Sequence, residues 1–434
     1  VTQTSASLNR QILAIAIPAI VANITTPLLS LVDITIVGHL GSAAFVGAIA
    51  VGGSMFSMLY WLFGFLRFGT SGLTAQAVGR RDSAEVSLTL QRSLTVALAI
   101  AAALLLLHVP LGRAALALIG TDSATEAMAW RYFSILIWGA PATLAGYAIT
   151  GYFVGVQCTR MAMWMSLLIN VSNIGGSLLL VYACHMQIEG VALGSLLAQY
   201  VGTLFGLAVC CRRFGFRLRP IRQVLEAEKM RRFFAVNIDI MLRTICLIAV
   251  TVWFTHSGAQ HGELTLAANT LLLQFFMLFS YFMDGFAFAG EALCGKFFGA
   301  RNADMLRRCI SRLFQWATGI AAVSTIILAA GMMPFMHLLS NQPEIIAEAA
   351  HYQLWAIGIP LAGYVAFMWD GILVGVTRTR LMLWSMIGAT ATFFILNSAL
   401  ATSLGNHALW LAFIAYLLMR SILQTIFFSD RATA

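Results

Sequence analysis

Charge is scarce in this sequence. Only 10% of its 434 residues are Asp, Glu, Lys or Arg, while 60% are hydrophobic. A soluble domain carries roughly 25% charged residues. So little charge cannot cover a water-facing surface of this size, and lipid must solvate most of the chain. Catalytic signatures are missing as well: there is no phosphate-cradling P-loop, no HExxH and no nucleophile elbow. ATP therefore cannot drive this chain directly, and no enzyme activity is expected. The seven cysteines, Cys158, Cys184, Cys210, Cys211, Cys246, Cys294 and Cys309, show no CxxC or Cys/His ligand spacing. Most lie in apolar segments, where Cys acts as a small hydrophobe. No metal, cofactor or structural disulfide is expected. The apolar runs are continuous rather than alternating, which excludes a β-barrel.

What is present is a series of long apolar segments. A membrane-crossing helix needs ~20 mostly apolar residues. The segments predict twelve such helices, over 11–37, 45–78, 89–110, 130–155, 161–184, 188–211, 233–256, 263–296, 308–333, 350–376, 381–402 and 405–428. The second and eighth exceed the bilayer thickness, so they should tilt or project. No segment ahead of the first span reads as a cleavable signal peptide. The basic residues fall on one side. Of 26 Lys and Arg, only Arg113 and Arg131 fall on the other side, with Arg67 and Arg243 inside spans. The positive-inside rule then puts both termini and the basic 212–232 loop in the cytoplasm. The net charge of +9 is thus a topology signal and a contact for anionic membrane lipid, and no nucleic-acid partner is expected.

The two halves resemble each other. Val-Gly-Val-Gln-Cys-Thr-Arg-Met-Ala-Met-Trp at 154–164 matches Val-Gly-Val-Thr-Arg-Thr-Arg-Leu-Met-Leu-Trp at 374–384. Gly155 pairs with Gly375, Arg160 with Arg380 and Trp164 with Trp384, an offset of 220 residues. The same offset pairs Gly79 and Arg81 with Gly299 and Arg301. Two six-helix repeats follow, 1–211 and 233–434, with 212–232 as a basic cytoplasmic linker. Six is even, so both repeats share one orientation, which is a transporter device.

Ionisable groups inside a membrane are costly and face a cavity or a partner. Five acids fall inside the expected spans: Asp33, Asp239, Asp284, Glu291 and Asp370. Asp33 has no basic residue within a turn or two on its helix, and Pro18 and Pro27 on that helix each remove a backbone donor and can bend it. Burial disfavours the charged form of a lone carboxylate, which is what a proton-coupled carrier exploits; the alternative is a protonated carboxyl joining two helices. Asp239 and Arg243 are four apart and are expected to pair. Asp284, Asp370 and Glu291 are candidates for a substrate cavity, against interhelical hydrogen bonding for the first two and simple hydration for the third. Asn170, Asn173 and Ser177 form one polar stripe, and Ser195 with Gln199 another, readable either as site or as helix glue. His39, His256 and His261 are expected in external loops.

Several of these segments also resemble a known family. Asn-Ile-Thr-Thr-Pro-Leu-Leu-Ser-Leu-Val-Asp-Ile-Thr-Ile-Val-Gly-His-Leu-Gly at 23–41 and Gly-Leu-Thr-Ala-Gln-Ala-Val-Gly at 72–79 resemble signatures of multidrug and toxic compound extrusion (MATE) transporters. Asn-Ile-Asp-Ile-Met-Leu-Arg at 237–243, Asp-Gly-Phe-Ala-Phe-Ala-Gly-Glu at 284–291 and Gly-Asn-His-Ala-Leu-Trp at 405–410 narrow the resemblance to the DinF subfamily. It implies an all-α integral membrane protein, two pseudo-symmetric six-helix lobes in a V around a central cavity. It implies export of cationic or amphipathic small molecules in exchange for protons, or alternatively sodium ions, across a bacterial plasma membrane. Asp33 matches the family's first-helix carboxylate, Pro18 its helix-bending proline, and Asn173 and Ser195 polar partners of that carboxylate. Ser177 stands where many relatives carry a second acid, which argues against a sodium site in this lobe. A lipid-linked oligosaccharide flippase is a further alternative, but only Arg67 and Arg243 are expected in spans. A monomer is expected, since the repeat already supplies two lobes.

Overall fold

In lipid, backbone N–H and C=O groups must be satisfied within the segment itself, and every regular element among the described residues is helical. The computed structural model describes residues 5–38, 43–119 and 123–432; His39 lies outside the described residues. In chain order the α-helices are α1 (Ser5–Gly38), α2 (Ala43–Leu62), α3 (Phe65–Gly79), α4 (Ser83–Leu106), α5 (His108–Ile119) and α6 (Ser123–Leu136). They continue with α7 (Ala140–Gly155), α8 (Thr159–Leu178), α9 (Ile188–Arg213), the short α10 (Ile221–Val224) and α11 (Ala227–Gln260). The last five are α12 (Glu263–Gly299), α13 (Ala303–Leu339), α14 (Pro343–Gly375), α15 (Thr379–Leu404) and α16 (Asn406–Ala432). Among the described residues twelve stretches are long and apolar enough to cross a membrane, one for each expected span. Residues such as Val171, Ile326 and Leu354 are largely exposed, as suits a surface solvated by lipid rather than water.

Three expected single helices carry interruptions. The span over 45–78 breaks at Phe63–Gly64, between α2 and α3, so its excess length is taken up by two segments rather than one tilted rod. The span over 130–155 passes through a 3₁₀ turn at Ile137–Gly139. Pro141 lies in the first turn of α7; it has no N–H for the carbonyl four residues back, which is that of Ile137. α8 runs into a π-helical turn at Leu179–Ala183, a form that tends to occur at functional sites.

The chain divides into two compact units, residues 17–237 and residues 1–16 with 238–434. The offset of 220 holds in the backbone of each. In the first, a Cβ on Gly151 would stand 2.2 Å from the Arg67 carbonyl oxygen, and one on Gly155 2.8 Å from that of Ser71. In the second, Gly371 and Gly375 stand in the same relation to the Ala287 and Glu291 carbonyls, at 2.3 and 2.6 Å. Only glycine permits such an approach, so α3 against α7 and α12 against α14 are one packing made twice. Arg81 and Arg301 turn with φ of 58° and 55°, and Gln157 and Thr377 with 62° and 54°. The helices that follow the two arginines begin alike. Asp82 caps Glu85 N at 3.0 Å, and Asn302 caps Met305 N at 3.0 Å.

The Gly-Asn-His-Ala-Leu-Trp stretch has a structural part. Buried Asn406 and Asn269 donate to each other's carbonyl oxygens at 2.9 and 2.8 Å, and Trp410 Nε1 donates to Asn269 Oδ1 at 2.9 Å. Buried amides are stable only when paired in this way.

Candidate functional site

The unit of residues 17–237 holds a small polar cluster. Asp33 lies on α1, one and a half turns beyond Pro27, and is 8% exposed. Its Oδ1 is buried and has no hydrogen-bond partner. Asn173 on α8 donates Nδ2 to Ser195 Oγ on α9 at 2.6 Å, and both are buried. Tyr132 on α6 lies beside both, within electrostatic reach of Asp33 and of Ser195. Ser177 is fully buried one turn beyond Asn173, packed so tightly on Gly194 that a Cβ there would stand 2.5 Å from its Oγ. Asn173 Oδ1 and Ser177 Oγ are also buried without a partner. Asn170, on the same stripe, donates to the Thr25 carbonyl at 3.2 Å, in the turn before Pro27. Gln199 is half-buried one turn beyond Ser195. Pro18 is buried and Pro27 half-buried, both inside α1. Unpaired buried acceptors beside a lone carboxyl are costly, and the site can hold one exchangeable proton or a polar ligand group.

The other unit contains a different arrangement. Asp370 on α14 accepts from Arg243 on α11 and from Arg420 on α16, both through Oδ2. Gln424, one turn beyond Arg420, donates to Asp370 Oδ1 at 2.7 Å. Tyr416 contributes to the Arg420 environment, and Asp284 lies within electrostatic reach of Arg243. The expected pair of Asp239 with Arg243 does not form. Arg243 reaches across to Asp370, and Asp239 accepts from Thr379 Oγ1 at 2.8 Å. Arg420, counted with the cytoplasmic arginines, is 3% exposed and lies inside a span. Asp284 is half-buried and Glu291 is 1% exposed, the latter where α12 crosses α14. Asp370 is thus a counter-ion for two guanidinium groups. No group of His, Cys, Asp and Glu among the described residues is arranged to hold a metal ion.

Three participants are not among the residues expected from sequence. Tyr132 sits in an apolar helix, where a phenol needs a partner, but its neighbours in sequence say nothing of α9. Arg420 and Gln424, four apart in the middle of an apolar run, share a helix face and were the available signal.

A family model described as MatE matches residues 18–179 and again 237–402, once per repeat. The chain belongs to the MATE family. It is 36% identical to DNA damage-inducible protein F of Escherichia coli K12 over 414 residues, 94% of this chain and 89% of that protein. It is 23% identical to the probable multidrug resistance protein NorM of Geobacillus kaustophilus, over 94% of this chain and 91% of that one. A crystal structure of MATE in the bent conformation superposes with a TM-score of 0.88 at 17% identity, covering 98% of this chain and 96% of that one. This MATE chain is therefore a multi-pass membrane transporter of small molecules, with the DinF resemblance upheld by the first of these relatives. Asp33, Asn173 and Ser177 fall within the first matched stretch and Asp284, Glu291 and Asp370 within the second. Ser195, Gln199, Arg420 and Gln424 fall outside both.

Proposed function

We propose that this MATE transporter exports cationic or amphipathic small molecules in exchange for protons, with Asp33 as the coupling carboxyl. The observation that carries this reading is the buried, unpartnered Asp33 Oδ1 in the same unit as the bonded Asn173–Ser195 pair, with Tyr132 near both. Lacking a cation of its own, Asp33 holds a proton when buried and releases it when water reaches it. Tyr132, Asn173, Ser195 and Ser177 position or replace that proton's partners. Pro18 and Pro27 let α1 bend, so that hydration of Asp33 and access of substrate exclude each other. A neutral Asp33 has no hold on a cation, and a charged one does; that difference is the coupling.

The sodium alternative relies on the acids of the second repeat, but Asp370 already serves two arginines and Ser177 supplies no second carboxylate in the first. The flippase alternative gains one in-span arginine, Arg420, but it is consumed in the same ion-pair cluster. The two six-helix repeats, 1–211 and 233–434, would be the parts that move, joined by 212–232. We place the protein in a bacterial plasma membrane as a monomer, termini and linker cytoplasmic, on the one-sided basic residues.

The test is counterflow in proteoliposomes. A lipophilic cation should move against its gradient when a pH gradient is imposed, and should not respond to a sodium gradient at constant pH. Transport that follows sodium alone overturns the reading.

A further inference from the structure

The two repeats treat one arginine differently. Arg92 on α4 and Arg312 on α13 are 220 residues apart and stand equally far beyond the matching N-caps Asp82 and Asn302. Arg92 is buried and paired. It bonds Glu85 Oε1 at 2.7 Å through Nη1, and donates to the Val224 carbonyl at 3.1 Å and the Gln223 carbonyl at 3.3 Å, both from the linker. In the second repeat Met305 stands where Glu85 does in the first. Arg312 is half-buried, gives Nη1 to Gln315 Oε1 at 2.8 Å, and pairs with no carboxylate among the described residues.

An apolar trough of about 740 Å³ runs from Arg312 along α12 and α13, lined by one unit alone. Arg312, Gln315 and Asn9 form one end, and none of the lining residues is acidic. Trp316 Nε1 closes that end by donating to Asn9 Oδ1 at 3.3 Å. The walls are side chains such as Phe282, Val323 and Ile327. Exposed Arg308 lies one turn before Arg312, and Asp304 a further turn out.

We propose that this trough holds an acyl chain of an anionic phospholipid, with the lipid phosphate against Arg312 and Gln315. The cation and the amides lie towards the end of α13 that carries Arg307 and Arg308, where a headgroup would be met, and the side chains beyond them are apolar. A cationic amphiphile would meet Arg312 and Arg308 with the wrong charge, as would the ammonium of a zwitterionic lipid. A free phosphate would leave the apolar wall unused. What the linker does for Arg92, the lipid does for Arg312. Only the leaflet, cytoplasmic, rests on the proposed orientation.

The test is native mass spectrometry of the full chain incubated with phosphatidylglycerol or phosphatidylcholine of identical acyl chains. Both lipids bring a phosphate, but only phosphatidylcholine brings an ammonium towards Arg312 and Arg308, and about 1.4 kcal/mol from that like-charge contact predicts about tenfold greater retention of phosphatidylglycerol. Arg312→Gln should erase that preference, and glycerol phosphate should not displace the lipid. Gly319→Phe should lower retention of both lipids, because a Cβ at Gly319 meets nothing within 4 Å and the ring has the trough to enter. Equal retention of the two lipids, a preference surviving Arg312→Gln, or displacement by glycerol phosphate would each overturn the proposal. Arg312→Gln lies at a half-exposed position and keeps the test decisive if Gly319→Phe does not fold. Asp33→Asn should retain lipid as the intact protein does, so a failed coupling assignment and a failed lipid site are told apart.

Discussion

A single carboxylate, Asp370, holds two guanidinium groups and an amide inside the second unit. Removing one member of a buried ionic cluster leaves the others uncompensated, at a cost of about 3–5 kcal/mol. Asp370→Asn should therefore lower the melting temperature of the purified protein markedly. Adding Arg243→Gln should restore part of the loss, because one stranded charge is removed with its partner. Equal melting temperatures for Asp370→Asn and the intact protein would refute the counter-ion role. Asp33 is the reverse case, a carboxyl with no cation to lose. Asp33→Asn should leave the melting temperature within a few tenths of a kcal/mol equivalent of the intact protein. Asp33 was legible from sequence because a lone acid in an apolar helix is conspicuous. Its neighbour Tyr132 was not, since a tyrosine in a membrane helix is ordinary and the residues it approaches lie on α1 and α9. The Asp239–Arg243 expectation failed for a related reason: spacing along one helix shows which residues can meet, while a stronger partner on another helix decides whether they do.

Element boundaries followed from length and hydropathy, and the interruptions did not. The 3₁₀ turn before Pro141 could have been read from that proline and the break at Phe63–Gly64 from its glycine, whereas no single residue marks the π turn after α8. The repeat was legible in two short motifs, and its cause is now physical: glycines at 151, 155, 371 and 375 let helices touch carbonyl to Cα. Gly151→Val and Gly371→Val should each destabilise the protein by at least about 1–3 kcal/mol, the cost of overpacking, since backbone rather than a flexible side chain must yield. Thermal unfolding checks this, and an unchanged transition for either would contradict the close crossing. In α1, Pro18→Ala restores a backbone donor and stiffens the helix. It should slow transport while leaving the fold and the amount of protein in the membrane unchanged.

The repeats share a backbone but not their polar interiors. Positions 220 beyond Asp33, Asn173 and Ser195 are Trp253, Phe393 and Ala415, and positions 220 before Arg243, Asp370 and Arg420 are Asn23, Thr150 and Tyr200. The repeated scaffold carries different polar residues in each half, so a repeat-level reading alone finds the lobes without finding the site. The proposed orientation rests on the one-sided basic residues and has its own check. Cys184 and Cys211 are both exposed; Cys184 lies just before the span Ile188–Arg213 and Cys211 in its last turn, at the opposite end. With the other cysteines replaced, an impermeant maleimide on intact cells should label Cys184 and spare Cys211; labelling of Cys211 alone would invert the topology. The coupling claim is tested most directly by proton movement. Inverted membrane vesicles carrying a pH gradient are given a lipophilic cation, with the intact protein and Asp33→Asn matched for expression. Collapse of the gradient on cation addition in the intact protein, and none in Asp33→Asn, is the predicted result. An equal collapse in both, or none in either with the protein folded, would contradict proton exchange through Asp33.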